Sequence, residues 1–185
     1  EVPGCGGDSY TTWMSEQDPA HPFTVEEMVA QAALHQLSYF APDEGYHYSN
    51  TGYAMLAEIV GRVYSHDMGG PKTLSDFLYE LNVVGPDIRF PNLATDTALP
   101  EPFLPGTIYV AGNDPIVISN YNMSAQVGEG NGYGTLPALN RHVRSTLKGE
   151  GVLNADMARL MRTNSSTHKA DYAMGATGFI VSIPV

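Results

Sequence analysis

A tyrosine and an asparagine in the first third of the sequence can transfer protons and form hydrogen bonds, although a bare Tyr-x-Asn triplet is no signal of a site. Tyr48-Ser49-Asn50 lies in the stretch FAPDEGYHYSNTGYAML at residues 40–56. A phenol has an unperturbed pKa of about 10, so Tyr48 can act as a base only where adjacent cations favour its ionised form. The same triplet also suits a turn that leads into a helix cap, with Tyr48 at the edge of the core.

A serine followed three residues later by a lysine is a second pattern with chemical meaning. On a helix this spacing puts the lysine one turn away, where it can hold or accept the hydroxyl proton. Ser145-Thr-Leu-Lys148 lies at the end of a predicted helix, whereas a nucleophile is favoured at the positive N-terminal end. Ser166-Thr-His-Lys169 lies in a polar stretch with no helix predicted after it. Neither pattern therefore predicts a nucleophile.

The remaining chemically active residues give weaker patterns. The histidines show no His-x-x-x-His spacing, and the one Glu-x-x-His, Glu44 to His47, falls in a predicted turn. The glycine run 128–134 does not fit the Gly-x-Gly-x-x-Gly of a dinucleotide site and is interpreted as a flexible loop. We therefore expect no metal site and no organic cofactor.

The composition limits the class of protein. The chain has 185 residues, 43% of them hydrophobic, and a formal net charge of −11, which predicts a globular protein that does not bind nucleic acid. It has no apolar run long enough to span a membrane. A single cysteine, Cys5, excludes an internal disulfide. Asn122-Met-Ser124 and Asn164-Ser-Ser166 are acceptor sequences for glycosylation, if the protein is secreted by a eukaryote.

The elements that would position Tyr48 and Asn50 can be predicted from capping signals and periodicity. Thr24-Val-Glu-Glu27 is a capping box, and the helix that follows is expected to run through Leu37. A turn from Pro42 to Gly45 is expected just before the Tyr-Ser-Asn segment. Asn50 is expected to cap the next helix, predicted from about Thr51 to Tyr64.

The rest of the chain is predicted to alternate loops and helices within a single domain, 1–185. Residues 1–23 are expected to form a loop and 83–134 a long, mostly irregular excursion with short strands at 108–110 and 116–118. Three further helices and a final strand are expected, at 73–81, from Thr135 to Lys148, from Asn154 to Arg162 and at 177–183.

The segment around Tyr48 resembles the second catalytic motif of the serine β-lactamase and penicillin-binding-protein superfamily. The similarity is to the branch of class C β-lactamases, D-Ala-D-Ala carboxypeptidases and family VIII esterases, where Tyr-x-Asn follows an aromatic-x-Pro-Gly turn. That turn is similar to 40–45 here. The helix pair after Gly134-Thr135 and the stretch Asp171-Tyr-Ala-Met-Gly175 also look like parts of this branch, so the resemblance covers most of 23–180.

The resemblance implies roles for individual residues. Tyr48 would relay a proton between the nucleophile and the leaving group, and Asn50 would hydrogen-bond the substrate's amide oxygen and the motif lysine. Thr177 and Gly178 would line the substrate site as the family's Lys-Thr-Gly or His-Thr-Gly does, although Ala176 stands in place of the cation. In the family the nucleophile precedes the Tyr-x-Asn motif, whereas both Ser-x-x-Lys patterns here follow it.

The predicted fold class is an α-rich α+β fold, the helical region of a β-lactamase-like fold with few short strands and an incomplete sheet. The predicted function is part of a serine hydrolase or acyltransferase acting on a small-molecule amide, ester or β-lactam, with the nucleophile outside this chain. A second polypeptide carrying Ser-x-x-Lys is the expected partner, and an exposed apolar face should exist where the missing part packs.

Two alternatives stay open at this point. One is a non-catalytic β-lactamase-like scaffold that serves as a binding module, and the other is an incomplete piece of a longer protein. The start at Glu1, without a signal-peptide pattern, leads us to expect a processed or truncated product. The resemblance alone favours a secreted or extracytoplasmic location.

Overall fold

The structure is a computed structural model, and it describes residues 9–90, 99–109, 112, 114–119, 121–151 and 153–163. The chain divides into two compact units. Unit 1 holds the described residues within Glu1–Ser38, Ser49–Ser75 and Phe90–Gly132, and unit 2 those within Tyr39–Tyr48, Asp76–Arg89 and Tyr133–Val185. None of the described helices combines the length and the apolarity needed to cross a lipid bilayer.

Unit 1 is built mainly from helices. The elements are α1 (Ser9–Gln17), α2 (Val25–Leu34), α3 (Asn50–Met68), the hairpin of β2 (Thr107–Ile108) with β3 (Ile116–Val117), and a 3-10 helix at Met123–Gln126. Thr24 caps α2 by accepting the Glu27 N–H at 3.1 Å, as the capping box predicts. Phe23 and Met28, on either side of this cap, are both 6% exposed and anchor α2 in the core.

The segment before the 3-10 helix ties unit 1 together through buried polar groups. Asn122 is 2% exposed; its backbone N–H donates to the Pro19 carbonyl oxygen at 2.7 Å and its side-chain amide to the Ala20 carbonyl oxygen at 3.2 Å. The Phe23 N–H donates to the buried Ser124 hydroxyl at 2.8 Å. These bonds join segments about a hundred residues apart and satisfy backbone groups that burial would otherwise leave unpaired.

The longest helix, α3, packs through small residues. Ala54, Ala57, Gly61 and Tyr64 are its buried positions, and they recur every three or four residues along one face. A side chain at Gly61 would lie 3.3 Å from the Lys72 carbonyl oxygen, so glycine allows the segment after the helix to approach closely. The helix ends at Gly69, which has the left-handed conformation at φ 71°.

Unit 2 holds the segment that leads to Tyr48 and the C-terminal helix pair. Its elements are β1 (Ile88–Arg89), β4 (Tyr133–Gly134), α5 (Leu136–Lys148) and α6 (Ala155–Arg162), while α4 (Leu74–Glu80) crosses from one unit to the other along the chain. β1 and β4 are antiparallel, with Ile88 opposite Gly134. Thr135 and Asn154 cap α5 and α6 by accepting the N–H groups of Ala138 and Met157.

Comparison with the sequence predictions gives three corrections. The helix α2 ends at Leu34 rather than at Leu37, and Gln36 after it has a left-handed backbone at φ 51°. Residues 9–17 form a helix rather than a loop, because the glycines and prolines of 1–23 lie outside this stretch and its Tyr10 and Trp13 rings pack at 6.5 Å. The helix after the Tyr-Ser-Asn segment runs to Met68 rather than Tyr64, because it stops at a left-handed glycine and not where the apolar periodicity ends. The predicted strand 177–183 lies outside the described residues.

Candidate active-site segment

The turn before Tyr48 is held by local hydrogen bonds in unit 2. The Ala41 N–H donates to the Glu44 carboxylate at 3.3 Å, and the Glu44 N–H donates to the Ala41 carbonyl oxygen at 3.1 Å. Asp43 has a left-handed backbone, at φ 67°, which a short polar side chain tolerates better than most. The Pro-Asp-Glu-Gly sequence thus folds as the turn that it predicts.

Two rings follow this turn and lead directly to Tyr48. Tyr39 and His47 are stacked, with ring centroids 3.8 Å apart and planes within 10° of parallel. His47 Nδ1 lies 2.8 Å from the Tyr48 carbonyl oxygen; because a carbonyl can only accept, Nδ1 carries the proton in this hydrogen bond. The Tyr48 side chain is 48% exposed. This arrangement fixes the backbone of Tyr48 and leaves much of its side chain accessible.

The predicted helix cap at Asn50 was wrong, and Ser49 caps α3 instead. Ser49 has the extended conformation of a cap residue, at φ −140° and ψ 116°, and its hydroxyl accepts the Gly52 N–H at 3.1 Å. Asn50 is the first residue of the helix and is half-buried. Sequence reasoning treated Ser49 as a spacer, although its type and its place before a helical run were the signal that it is the cap.

The serine of the first Ser-x-x-Lys pattern is in an unsuitable place for a nucleophile. Ser145 lies near the C-terminal end of α5, where its hydroxyl donates to the His142 carbonyl oxygen at 3.0 Å. Lys148 is the last residue of α5, and its ammonium lies 3.6 Å from the Glu150 carboxylate. This confirms the predicted position at a helix end, where the dipole disfavours a developing oxyanion.

The remaining predicted site residues cannot be placed. Thr177, Gly178 and the pattern Ser166 to Lys169 lie outside the described residues. Of the two acceptor asparagines, Asn164 also lies outside them, and Asn122 is buried with its amide engaged. A glycan on Asn122 would require the packing of unit 1 to open.

Unit 2 contains a cavity of about 480 Å³ beside α5. It is lined by Ala138, His142 and Ser145 of α5, by the 82–87 segment and by Leu153. An ion pair joins Arg141 to Asp87 at its edge, with a nitrogen-to-oxygen distance of 3.0 Å. Neither Tyr48 nor Asn50 is among the residues that line this cavity.

A family model described as Beta-lactamase matches residues 5–181. The chain belongs to the beta-lactamase family. This confirms the resemblance on which the roles of Tyr48 and Asn50 were predicted, and the match extends on both sides of the Tyr-Ser-Asn segment. No curated protein matches the sequence closely enough to be a relative.

Solved structures of this family's fold are similar to the chain. A D-stereospecific amidohydrolase from Streptomyces sp. matches 90% of the chain at 21% identity with a TM-score of 0.68, and 48% of that protein is covered. A D-amino acid amidase from Ochrobactrum anthropi SV3, complexed with L-phenylalanine amide, matches 78% of the chain at 22% identity with a TM-score of 0.59, and 41% of it is covered.

These matches confirm the predicted fold class. The chain has the α-rich part of a β-lactamase-like fold, with two small antiparallel sheets among its described residues. It spans about half the length of the solved structures that it matches.

Proposed function

We propose that this beta-lactamase-family chain is part of a serine hydrolase or acyltransferase, to which it supplies Tyr48 and Asn50. The serine and lysine would come from the half of the fold that these 185 residues do not contain. The observation that carries the proposal is the Tyr48-Ser-Asn50 segment, which is held by a turn and a cap at the start of α3 with Tyr48 half exposed.

The proposed reaction proceeds through an acyl-enzyme. The serine oxygen attacks the substrate's acyl carbonyl while its proton passes to the lysine and Tyr48, and the bond to the leaving group breaks as that group takes up the proton. Water then attacks the acyl-enzyme, restores the serine hydroxyl and releases the acid. Asn50 would orient the substrate by a hydrogen bond to its amide oxygen.

The most suitable substrate class is an amide. The two similar structures are named as a D-stereospecific amidohydrolase and a D-amino acid amidase, which favours an amide over an ester or a β-lactam. We expect a small amino-acid amide to be a better test substrate than a penicillin.

The test uses material purified from the natural source. A fluorophosphonate and a fluorescent penicillin should label a serine in this material, and D-phenylalanine amide should be hydrolysed. In recombinant protein that includes the half carrying the serine and lysine, Tyr48→Phe should lower kcat by about a hundredfold or more, because it removes the proton relay. Tyr109→Phe, at a tyrosine that is 79% exposed, is the matched control and should leave kcat unchanged.

Two results would contradict this proposal. One is the absence of any labelled serine in native material that contains this chain. The other is equal activity of Tyr48→Phe and the Tyr109→Phe control.

A second candidate is a non-catalytic scaffold that serves as a binding module. The observation that favours it is Ser145, whose hydroxyl bonds to a backbone carbonyl near a helix C-terminus and cannot replace the missing nucleophile. Ala176, which stands where the family has a cation, favours it as well. Native material that binds phenylalanine amide without hydrolysis and without serine labelling would establish this candidate instead.

A further inference from the structure

The helix α3 carries a second apolar face opposite its packed one. Met55, Leu56, Ile59 and Val63 recur at intervals of three and four residues, and they are between 46% and 57% exposed. We call these four residues the outer face. A helix that is apolar on both sides belongs in the interior of a protein, with neighbours on both sides.

The outer face cannot be buried by rotating α3 within unit 1. On the packed side, a side chain at Gly128 would lie 2.7 Å from the Ala57 side chain and 2.9 Å from the Tyr53 carbonyl oxygen. This contact leaves room for alanine and glycine but not for leucine or isoleucine. Next to Gly128 the small residues must therefore face inwards, and the four residues of the outer face are left on the surface.

The exposed residues form a patch rather than a scatter. Single exposed apolar side chains are ordinary, whereas a continuous row over about two turns indicates a surface that another chain covers. Glu58 and Arg62 lie along one edge of the row and form an ion pair at 2.7 Å. An apolar centre with a polar edge is the usual composition of a protein interface.

The similar solved structures contain about twice as much polypeptide as the part that this chain matches. The match to the amidohydrolase includes 90% of this chain but only 48% of that protein. About as much polypeptide again is needed to complete such a fold.

We propose that the outer face of α3 is the docking surface for the half of the β-lactamase-like fold that these 185 residues lack. The occupant is polypeptide with an apolar face and a Ser-x-x-Lys segment. This inference rests on the proposed function, because it takes that half to be the one that carries the nucleophile.

The experiment is footprinting of native material with a photoactivated carbene, followed by peptide mass spectrometry. Leu104 and Leu136, which are 92% and 82% exposed and lie outside the outer face, serve as internal controls. In native material, labelling of Met55–Val63 should be about tenfold lower than in the recombinant 185-residue chain, because an interface core excludes the probe. Labelling of the controls should differ little between the two samples.

The mass of the native assembly identifies the occupant. Protection of the outer face, together with additional polypeptide that contains Ser-x-x-Lys, would support the proposal. Equal labelling in both samples would overturn it. Protection in an assembly of 185-residue chains alone would overturn it too, because the occupant would then be a second copy.

This readout does not depend on catalysis. Protection without serine labelling would leave the docking surface standing and contradict the proposed function. Serine labelling without protection of the outer face would support the proposed function and overturn the docking surface.

Discussion

The two faces of α3 carry apolar residues of different size, and the structure treats them differently. The packed face buries three small residues and one tyrosine, with Gly61 close to the Lys72 backbone and Ala57 close to Gly128. The outer face has Met55, Leu56, Ile59 and Val63 about half exposed. Hydrophobicity by itself would bury the outer face first, because its residues have more area to remove from water. The difference indicates that close backbone approach decides which side packs within the described part of the chain. The larger side chains form the docking surface proposed above.

The largest change in stability is expected from one methyl group added on the packed side of α3. Gly128→Ala should lower the free energy of unfolding by about 3 kcal/mol, because its Cβ would meet the Ala57 side chain and φ is 83°. Gly85→Ala is the matched control, since Gly85 has a similar φ of 76° and a Cβ there meets nothing within 4 Å. Urea denaturation of both variants measures the difference. Equal stabilities would mean that the 127–130 loop does not pack on α3.

Substitutions at the start of α3 test how much the cap contributes to stability. Ser49→Ala should cost about 1 kcal/mol of stability, because the Gly52 N–H loses its acceptor. Ser49→Asp keeps an acceptor and should retain most of that stability. Asn50→Ala should change the free energy of unfolding by less than about 0.5 kcal/mol. If Asn50→Ala proved the more costly change, Asn50 would be the cap after all.

Unit 1 also contains a cluster of titratable side chains that joins α1 to α2. The Tyr10 hydroxyl donates to Glu27 Oε1, and His21 Nε2 lies 2.9 Å from the same oxygen. Burial would raise the pKa of Glu27, but the hydrogen bonds from Tyr10 and His21 and the positive charge of His21 lower it overall. Burial, the hydrogen bond to Glu27 and the charge of Glu27 raise the pKa of Tyr10 to about 12.

These shifts predict loss of stability at both ends of the pH range. The contribution of Glu27 is complete above its unfolded pKa of about 4.3 and is lost as the pH falls through the lower folded value. The contribution of Tyr10 is complete below about pH 10 and is lost as the pH rises towards the folded pKa. Both effects should be small because the groups are partly exposed.

Urea midpoints across the pH range check this prediction. Tyr10→Phe should remove the alkaline loss that belongs to Tyr10. An identical alkaline loss in this variant would assign it to another group.

The smallest expected effect is on the outer face of α3. Ile59→Asn should change the free energy of unfolding of the isolated chain by less than about 0.5 kcal/mol, because the side chain is already 52% exposed. Ala57→Asn, two positions earlier on the packed face, should be strongly destabilising and is the contrasting variant. A large cost for Ile59→Asn in the isolated chain would show that the outer face is already covered within it.

Much of the helical part of the fold could be predicted from local signals. The starts of α2, α5 and α6 follow from Thr24, Thr135 and Asn154, since a cap and its acceptor geometry depend on a few neighbouring residues. The strands β1 and β4 were not predicted: each is two residues long, and their pairing joins positions 45 or so residues apart, which no local pattern encodes.

The candidate site also has a part that could be predicted from the sequence and a part that could not. The Pro42 to Gly45 turn and the following helix could be predicted, because their residue types determine the backbone locally. That Ser49 rather than Asn50 caps α3 could not be predicted, because either residue type can cap a helix and a shift of one position decides which does.

The sequence by itself determined the family of this protein, the order of the helices from α2 onwards and the segment in which Tyr48 and Asn50 lie. These depend on residue type and short-range spacing. Only the tertiary structure decided that Asn122 is buried and that α3 turns Ala57 and Gly61 inwards and the four residues of the outer face outwards. Burial is set by contacts between distant segments, and the rotation of a helix about its axis depends on which neighbours fit against it.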